Sequence, residues 1–240
     1  MRRHRKRHES TPLSLALLAN QRYLNRCKLH LLRKKEFLVP EITIPKIGLI
    51  LGTNRPRRIG GTIAEWTQNH LTSPAFETEL IDLEKVGLPF LDEPDIPAHG
   101  HYTQAHTQAW SATIQQYAGF VLLFPQYNWG YPAVLKNALD YLYAEWAHKP
   151  VATIVYGSHG GMQAQLAMRF VTSGLHMIPL AVNPELITND SMLNDTGDFI
   201  DVDQALAPSA DDMRLLTTDL ENFFTAHKPA SSTVPQSNQQ

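Results

Sequence analysis

The chain of 240 residues is 43% hydrophobic, enough to bury one full domain core, and carries a formal net charge of −2. That near-neutrality hides an asymmetry: residues 1–40 hold 11 Lys and Arg against Glu9 and Glu36, which leaves 10 basic and 21 acidic residues for the other 200. So acidic a body excludes a general nucleic-acid binder, and the single Cys27 excludes an internal disulfide or a Cys-based metal site.

Residues 1–43 read as a basic extension outside the domain. Arg-rich and nearly free of acids, they fit a mitochondrial presequence in composition. A disordered arm, or an upstream extension from a mis-chosen start codon, is the plainer reading. The apolar run Leu13–Ala19 is short and broken by Ser14, against a secretory signal, and Arg2–Arg7 is a basic run of a kind that arises by chance. Nothing approaches the roughly 18–20 consecutive apolar residues of a membrane helix, so no membrane partner is expected. The body is expected to be soluble and cytoplasmic, with the mitochondrion as the alternative.

From Ile44 onward strand and helix patterns alternate. Lys46–Gly52 has the continuous apolar character of a strand covered on both faces. Gly61–Leu71 reads as a helix with Ile63, Trp66, Thr67 and His70 on one face. Glu77–Leu83 is a second strand, followed by a proline-rich loop, Leu88–Pro97. Thr103–Tyr117 is helical, Gly119–Phe124 a third strand, Ala133–Trp146 a strong helix and Val151–Tyr156 a fourth strand. Met162–Ser173 is a helix closed by Gly174, a residue suited to C-caps. His176–Ile187 contains a fifth strand, and Ser209–Phe224 is a last helix, with Ser209 as N-cap and Asp211 and Asp212 in its first turn. Lys228–Gln240, rich in Ser, Pro and Gln, reads as a disordered tail. Residues 44–227 are thus expected to form one α/β domain. It would be a doubly wound five-stranded parallel sheet of flavodoxin-like order 2-1-3-4-5, with its crevice between strands 1 and 3.

Three loops open on that end of the sheet. Gly52-Thr53-Asn54-Arg55-Pro56-Arg57-Arg58-Ile59-Gly60 offers a hydroxyl, two guanidinium forks in Arg55 and Arg58, and a glycine-eased approach to a helix start. That combination suits a phosphate monoester. It is neither a Walker loop nor a dinucleotide G-x-G-x-x-G, and a solvated basic turn is the plain alternative. Pro125-Gln126-Tyr127-Asn128-Trp129-Gly130-Tyr131-Pro132 is a rigid aromatic turn able to lie along a flat ring, or simply core aromatics near a β–α turn. Gly157-Ser158-His159-Gly160-Gly161 exposes N–H groups at a helix N-terminus, which favour the negative charge that a reduced flavin gains. Together the three suggest a bound mononucleotide, FMN.

With these loops in view, the chain resembles the NADPH-dependent FMN reductase family, which includes quinone, azo-dye and chromate reductases. The matching stretches are GTNRPRRIGGTIAEW, LPFLDEP, FPQYNWGYPAVLKNALDYLY and YGSHGG, spanning about residues 44–226. The resemblance implies that Thr53, Arg55, Arg58, Ile59 and Gly60 surround an FMN phosphate. Pro125, Gln126, Tyr127, Asn128 and Trp129 would border the ring, with Ser158, His159, Gly160 and Gly161 along its far edge. Gln126 stands where the family commonly has Glu. The resemblance also implies NADPH or NADH as co-substrate, a small electron acceptor such as a quinone, and a homodimer or tetramer. In Ala133–Trp146, Leu135, Leu139, Leu142 and Trp146 form one apolar stripe, and Val134, Ala138, Tyr141 and Glu145 a second that a partner subunit would cover.

No side chain is required as an acid or base. His99, His101 and His106 lack rigid metal-ligand spacing, and G-S-H-G-G is not a nucleophile elbow. Lys136 and Asp140 read as a helix-surface ion pair. A flavodoxin-type electron carrier or an FMN-binding regulator without turnover are the competing readings. Arg55 and Arg58 speak against the carrier, whose phosphate loop is generally rich in Ser and Thr.

Overall fold

The computed structural model describes residues 44–227, so the expectations for 1–43 and 228–240 lie outside the described residues. Four parallel strands form the body of the sheet: β1 (Lys46–Leu51), β2 (Glu77–Asp82), β3 (Gly119–Pro125) and β4 (Pro150–Gly157). The order is β2-β1-β3-β4-β5, as expected, with β5 (Ile178–Pro179) and β6 (Glu185–Ile187) both pairing with β4.

Alternation along the central strands divides the core in two. Ile50, Phe120, Leu122 and Phe124 point to one face, covered by α3 (Ala105–Ile114), α4 (Ala133–Asp140) and α5 (Met162–Gly174). Ile47, Leu49, Leu51, Val121 and Leu123 point to the other, covered by α1 (Gly60–His70) and α7 (Ala210–Ala226). Short helices α2 (Leu83–Val86) and α6 (Val202–Leu206) are the remaining α-helices among the described residues. On α1, Ile63, Trp66 and Thr67 are buried as the spacing predicts, and His70 is half-buried, stacked on Trp66.

Four sequence expectations need correction. The single fifth strand is two pieces, because Pro179 and Pro184 withhold ladder N–H groups and the chain between them swings away. Side chains patch the gap: Asn183 Oδ1 accepts from Thr153 N at 2.8 Å, and Asp219 Oδ2 accepts from Ala181 N and Val182 N. The helix expected over Ala133–Trp146 stops at Asp140. Two buried indoles take its last carbonyls: Trp110 Nε1 donates to Ala138 O at 2.9 Å and Trp146 Nε1 to Leu139 O at 3.1 Å. Those carbonyls would otherwise accept from Leu142 and Tyr143. Gly174 is the last residue of α5 and not a left-handed cap; His176 takes the left-handed conformation, φ 56°. Ser209 occupies the N-cap position of α7 without a side-chain capping bond.

The second stripe of α4 is not free for a partner either. Ala138 and Tyr141 are buried within the chain. Tyr141 Oη donates to the carbonyls of Pro89 and Phe90, and Tyr102 and Ser111 both donate to Glu145.

Candidate functional site

The site begins where β1 ends. Gly52 N closes the ladder on Leu123 O at 2.8 Å, and the chain turns through Thr53–Ile59 into α1. Thr53 is fully buried, and its hydroxyl hydrogen-bonds Tyr127 Oη at 3.1 Å, joining the first loop to the second. Helix α1 starts on an apolar N-cap, Ile59, with no side-chain capping bond. The first N–H groups of the helix have no intrahelical partner, a donor set that suits an anion. A Cβ on Gly60 would stand 2.5 Å from Tyr156 Oη, so the glycine lets the loop close against that hydroxyl.

The two arginines of the loop divide. Arg55 is exposed at the rim and forms no ion pair among the described residues. Arg58 is turned inward: it donates to Thr53 O and pairs with Asp82 and Glu84, each at 2.6 Å. Its side chain and that of Asp82 are 12% and 8% exposed, so this pair fastens the loop to the end of β2. Both arginines line the cleft, Arg55 as an open fork and Arg58 as one already held by acids.

In the second loop, Tyr127 and Gly130 exchange backbone hydrogen bonds of 2.9 Å in both directions. Asn128 and Trp129 between them both have positive φ, 49° and 68°. This is the mirror-image two-residue turn that ordinarily takes Asn-Gly, so a tryptophan at its second position is strained. Trp129 is 72% exposed, which sets a large aromatic face outward beside the cleft.

The third loop is glycine-built because neighbours crowd it. A Cβ on Gly160 would collide with the Glu185 carboxylate, and one on Gly161 with Val155. Ser158 and His159 are exposed and bonded to each other, Oγ to Nδ1 at 2.9 Å. Helix α5 has no cap of its own on Gly161; Gln126 Oε1 instead accepts from Ala164 N at 3.1 Å. The residue read as a ring neighbour thus turns its carbonyl to a helix end.

Arg55, Arg58, Ile59, Pro125, Gln126 and Tyr127 converge on one cleft of about 160 Å³. Thr53 supports it from beneath. Asn128, Trp129 and His159 stand exposed outside its lining, and Ser158 lies in an adjoining cavity of about 520 Å³. Two lining residues escape the sequence reading, Tyr156 and Thr188, and Gly157 reads there as part of the third loop without a site role. Tyr156 lies at the end of β4 directly before that loop, a signal in the sequence. Thr188 follows the split fifth strand, whose register no pattern revealed. Burial pushes the Tyr156 hydroxyl well above the usual phenol range, and nearby Tyr127 adds to this against Arg58 and Arg55, so it stays a proton donor.

Elsewhere the histidines pair with carboxylates: His99 and His101 with Asp95, His106 with Asp92. Lys136 and Asp140 form the expected helix pair. Among the described residues no three His, Cys, Asp or Glu side chains converge as a metal site, and no helix is long and apolar enough to cross a membrane.

Fold and site define a flavodoxin-like protein with an anion-ready helix N-terminus and an aromatic turn at one switch-point crevice. Residues 45–186 match the family described as NADPH-dependent FMN reductase, and the chain belongs to it. It is 43% identical over 145 residues, 59% of this chain and 72% of the relative, to an NAD(P)H-dependent FMN reductase of Schizosaccharomyces pombe. It is 35% identical over 144 residues, 55% and 75% of the two chains, to the NAD(P)H-dependent FMN reductase LOT6 of Saccharomyces cerevisiae. In fold it is similar to the flavoenzyme FerB of Paracoccus denitrificans, an NAD(P)H:(acceptor) oxidoreductase. The TM-score is 0.57 at 16% identity, over 75% of this chain and 98% of that one. The family uses FMN with NAD(P)H as electron donor, and the chain is an FMN-dependent NAD(P)H oxidoreductase.

Proposed function

We propose that this cleft holds the FMN, and that the enzyme passes electrons from NAD(P)H to quinone-like or other small electrophilic acceptors. The observation that carries the placement is the uncapped N-terminus of α1 with Arg55 exposed beside it. Backbone N–H groups and one open guanidinium form the donor set a phosphate monoester needs. Thr53, Ile59 and Gly60 would complete that end, with Arg58 holding the loop in shape. Pro125–Trp129 would border the ring on one side and Ser158–Gly161 on the other. Tyr156 would donate a hydrogen bond from below.

When bound, FMN supplies the two-electron chemistry between nicotinamide and acceptor. The chain positions and sets access. Tyr127 and Ile59 line the cleft, and Trp129 offers an exposed flat surface on which a planar acceptor can stack. On this reading the flavin carries the chemistry, and the protein's role is orientation and electrostatics. Residues 44–227 are proposed as the catalytic domain, with 1–43 and 228–240 outside it.

A homodimer is proposed from the family resemblance. Met162, Leu166 and Phe170 lie at i, i+4 and i+8 on α5, 53%, 53% and 82% exposed, and a second copy would cover that stripe. Sedimentation of the purified chain as a monomer would remove this part. For the activity, purified protein should be yellow, bleach on anaerobic addition of NADPH and recolour on adding a quinone. Protein that takes up FMN but is bleached by neither NADPH nor NADH would overturn the reductase reading.

A further inference from the structure

We propose that the 520 Å³ cavity beside the cleft receives the adenosine end of the dinucleotide donor, and that Arg57 recognises the 2′-phosphate that separates NADPH from NADH. The inference rests on the reading that the neighbouring cleft holds FMN. Arg55, Ile59 and Thr188 line both spaces, so one donor molecule can reach from the flavin site into the cavity. One wall is the phosphate loop, the other the loop after β6 that carries Asn189, Asp190 and Thr196.

The charge of the walls indicates the ligand. Arg55 and Arg57 face a single carboxylate, Asp190. A 2′-phosphate calls for a guanidinium fork, whereas a bare ribose 2′-hydroxyl is satisfied by a carboxylate acceptor. Both elements are present: Arg55 serves the FMN phosphate on the reading above, which leaves Arg57 as the fork and Asp190 as the acceptor.

Apart from one bond across the cavity, Arg57 has no hydrogen-bond partner among the described residues. It is exposed, takes no part in the core or the FMN cleft, and sits at φ 58°, a conformation uncommon for a residue with a Cβ. Its Nη2 donates to Thr196 O at 2.6 Å, which ties the phosphate loop to the opposite wall. That bond engages one of five guanidinium N–H donors and fixes the group at the cavity wall, with the rest of the fork for a ligand.

The test uses the full-length, FMN-loaded enzyme. KM and kcat are measured for NADPH and NADH in wild type, Arg57→Ala, Arg57→Lys and Asp190→Asn, with the FMN dissociation constant of each followed by flavin fluorescence. Arg57→Ala should lower the NADPH-to-NADH ratio of kcat/KM by about tenfold through KM for NADPH, the scale of a lost charged hydrogen bond. Arg57→Lys should recover part of it, and Asp190→Asn should move the ratio the other way. Adenosine 2′,5′-bisphosphate should compete with NADPH in wild type and lose that potency in Arg57→Ala. A ratio unchanged within about twofold, small beside that expected loss, would overturn the proposal. So would a variant whose main defect is weaker FMN binding, since the cavity would then belong to the FMN phosphate. Wild-type protein that binds no FMN would overturn the cofactor reading itself, a result read before any variant is compared.

Discussion

Two arginines three positions apart do opposite work. Arg58 is bound to Asp82, and removing it strands a nearly buried carboxylate. Arg58→Ala should therefore cost about 3 kcal/mol of stability, seen as a lower denaturant midpoint, with FMN loss following from the loosened loop. Arg55 touches no acid, so Arg55→Ala should leave the midpoint in place and weaken FMN binding about tenfold. Gly60 makes a sharper case. Gly60→Ala puts a methyl against Tyr156 Oη, and overpacking of this kind costs roughly 1–3 kcal/mol. The variant should purify with depleted flavin, and Tyr156→Phe added to it should restore part of the content by removing the obstructing oxygen. The sequence made these residues visible as a basic, glycine-bounded turn. It did not reveal their division of labour, because Asp82 lies 24 positions away on a strand brought alongside only by sheet pairing.

At the level of elements, the two halves of the crevice are joined by side chains reaching across loops. Gln126 caps α5 from the loop after β3. Gln126→Leu should cost about 1 kcal/mol, the usual value of a helix cap, while Gln126→Glu should keep or raise the melting temperature because a carboxylate also complements the helix N-terminus. Since Gln serves this cap, its presence where the family commonly has Glu is compatible with the site. The Trp129 turn runs the other way, with strain retained at an exposed aromatic. Trp129→Gly should relax the turn and raise stability by about 1 kcal/mol while raising KM for planar acceptors, a trade between stability and function. Element identity and order were legible from periodicity. Element ends were less so: the stop at Asp140 depends on Trp110 and Trp146 competing for carbonyls, a contest no local pattern encodes.

For the molecule as a whole, the proline-rich segment after β2 is anchored by Glu93. Burial alone would raise its carboxyl pKa, but hydrogen bonds from Thr103 N and Gln104 N and from the Thr103 hydroxyl outweigh it and lower the pKa to about 2. A depressed carboxyl stabilises the folded state above its unfolded pKa and loses that contribution as pH falls. Acid should therefore erode stability between the ordinary glutamate pKa of 4.5 and about 2. Glu93→Gln should melt lower than wild type at neutral pH, with the gap closing across that window in a series of thermal melts.

The sequence by itself determined the alternation of strands and helices, the parallel sheet and its order, and the three loops at one end. These follow from local periodicity and from the restricted chirality of crossovers. Tertiary structure alone decided which arginine is open, that Tyr156 and Thr188 enter the cleft, that the fifth strand is split, and that a second cavity lies against the first. Each of these depends on side chains distant in sequence meeting at fixed positions, and local patterning carries no information about such meetings.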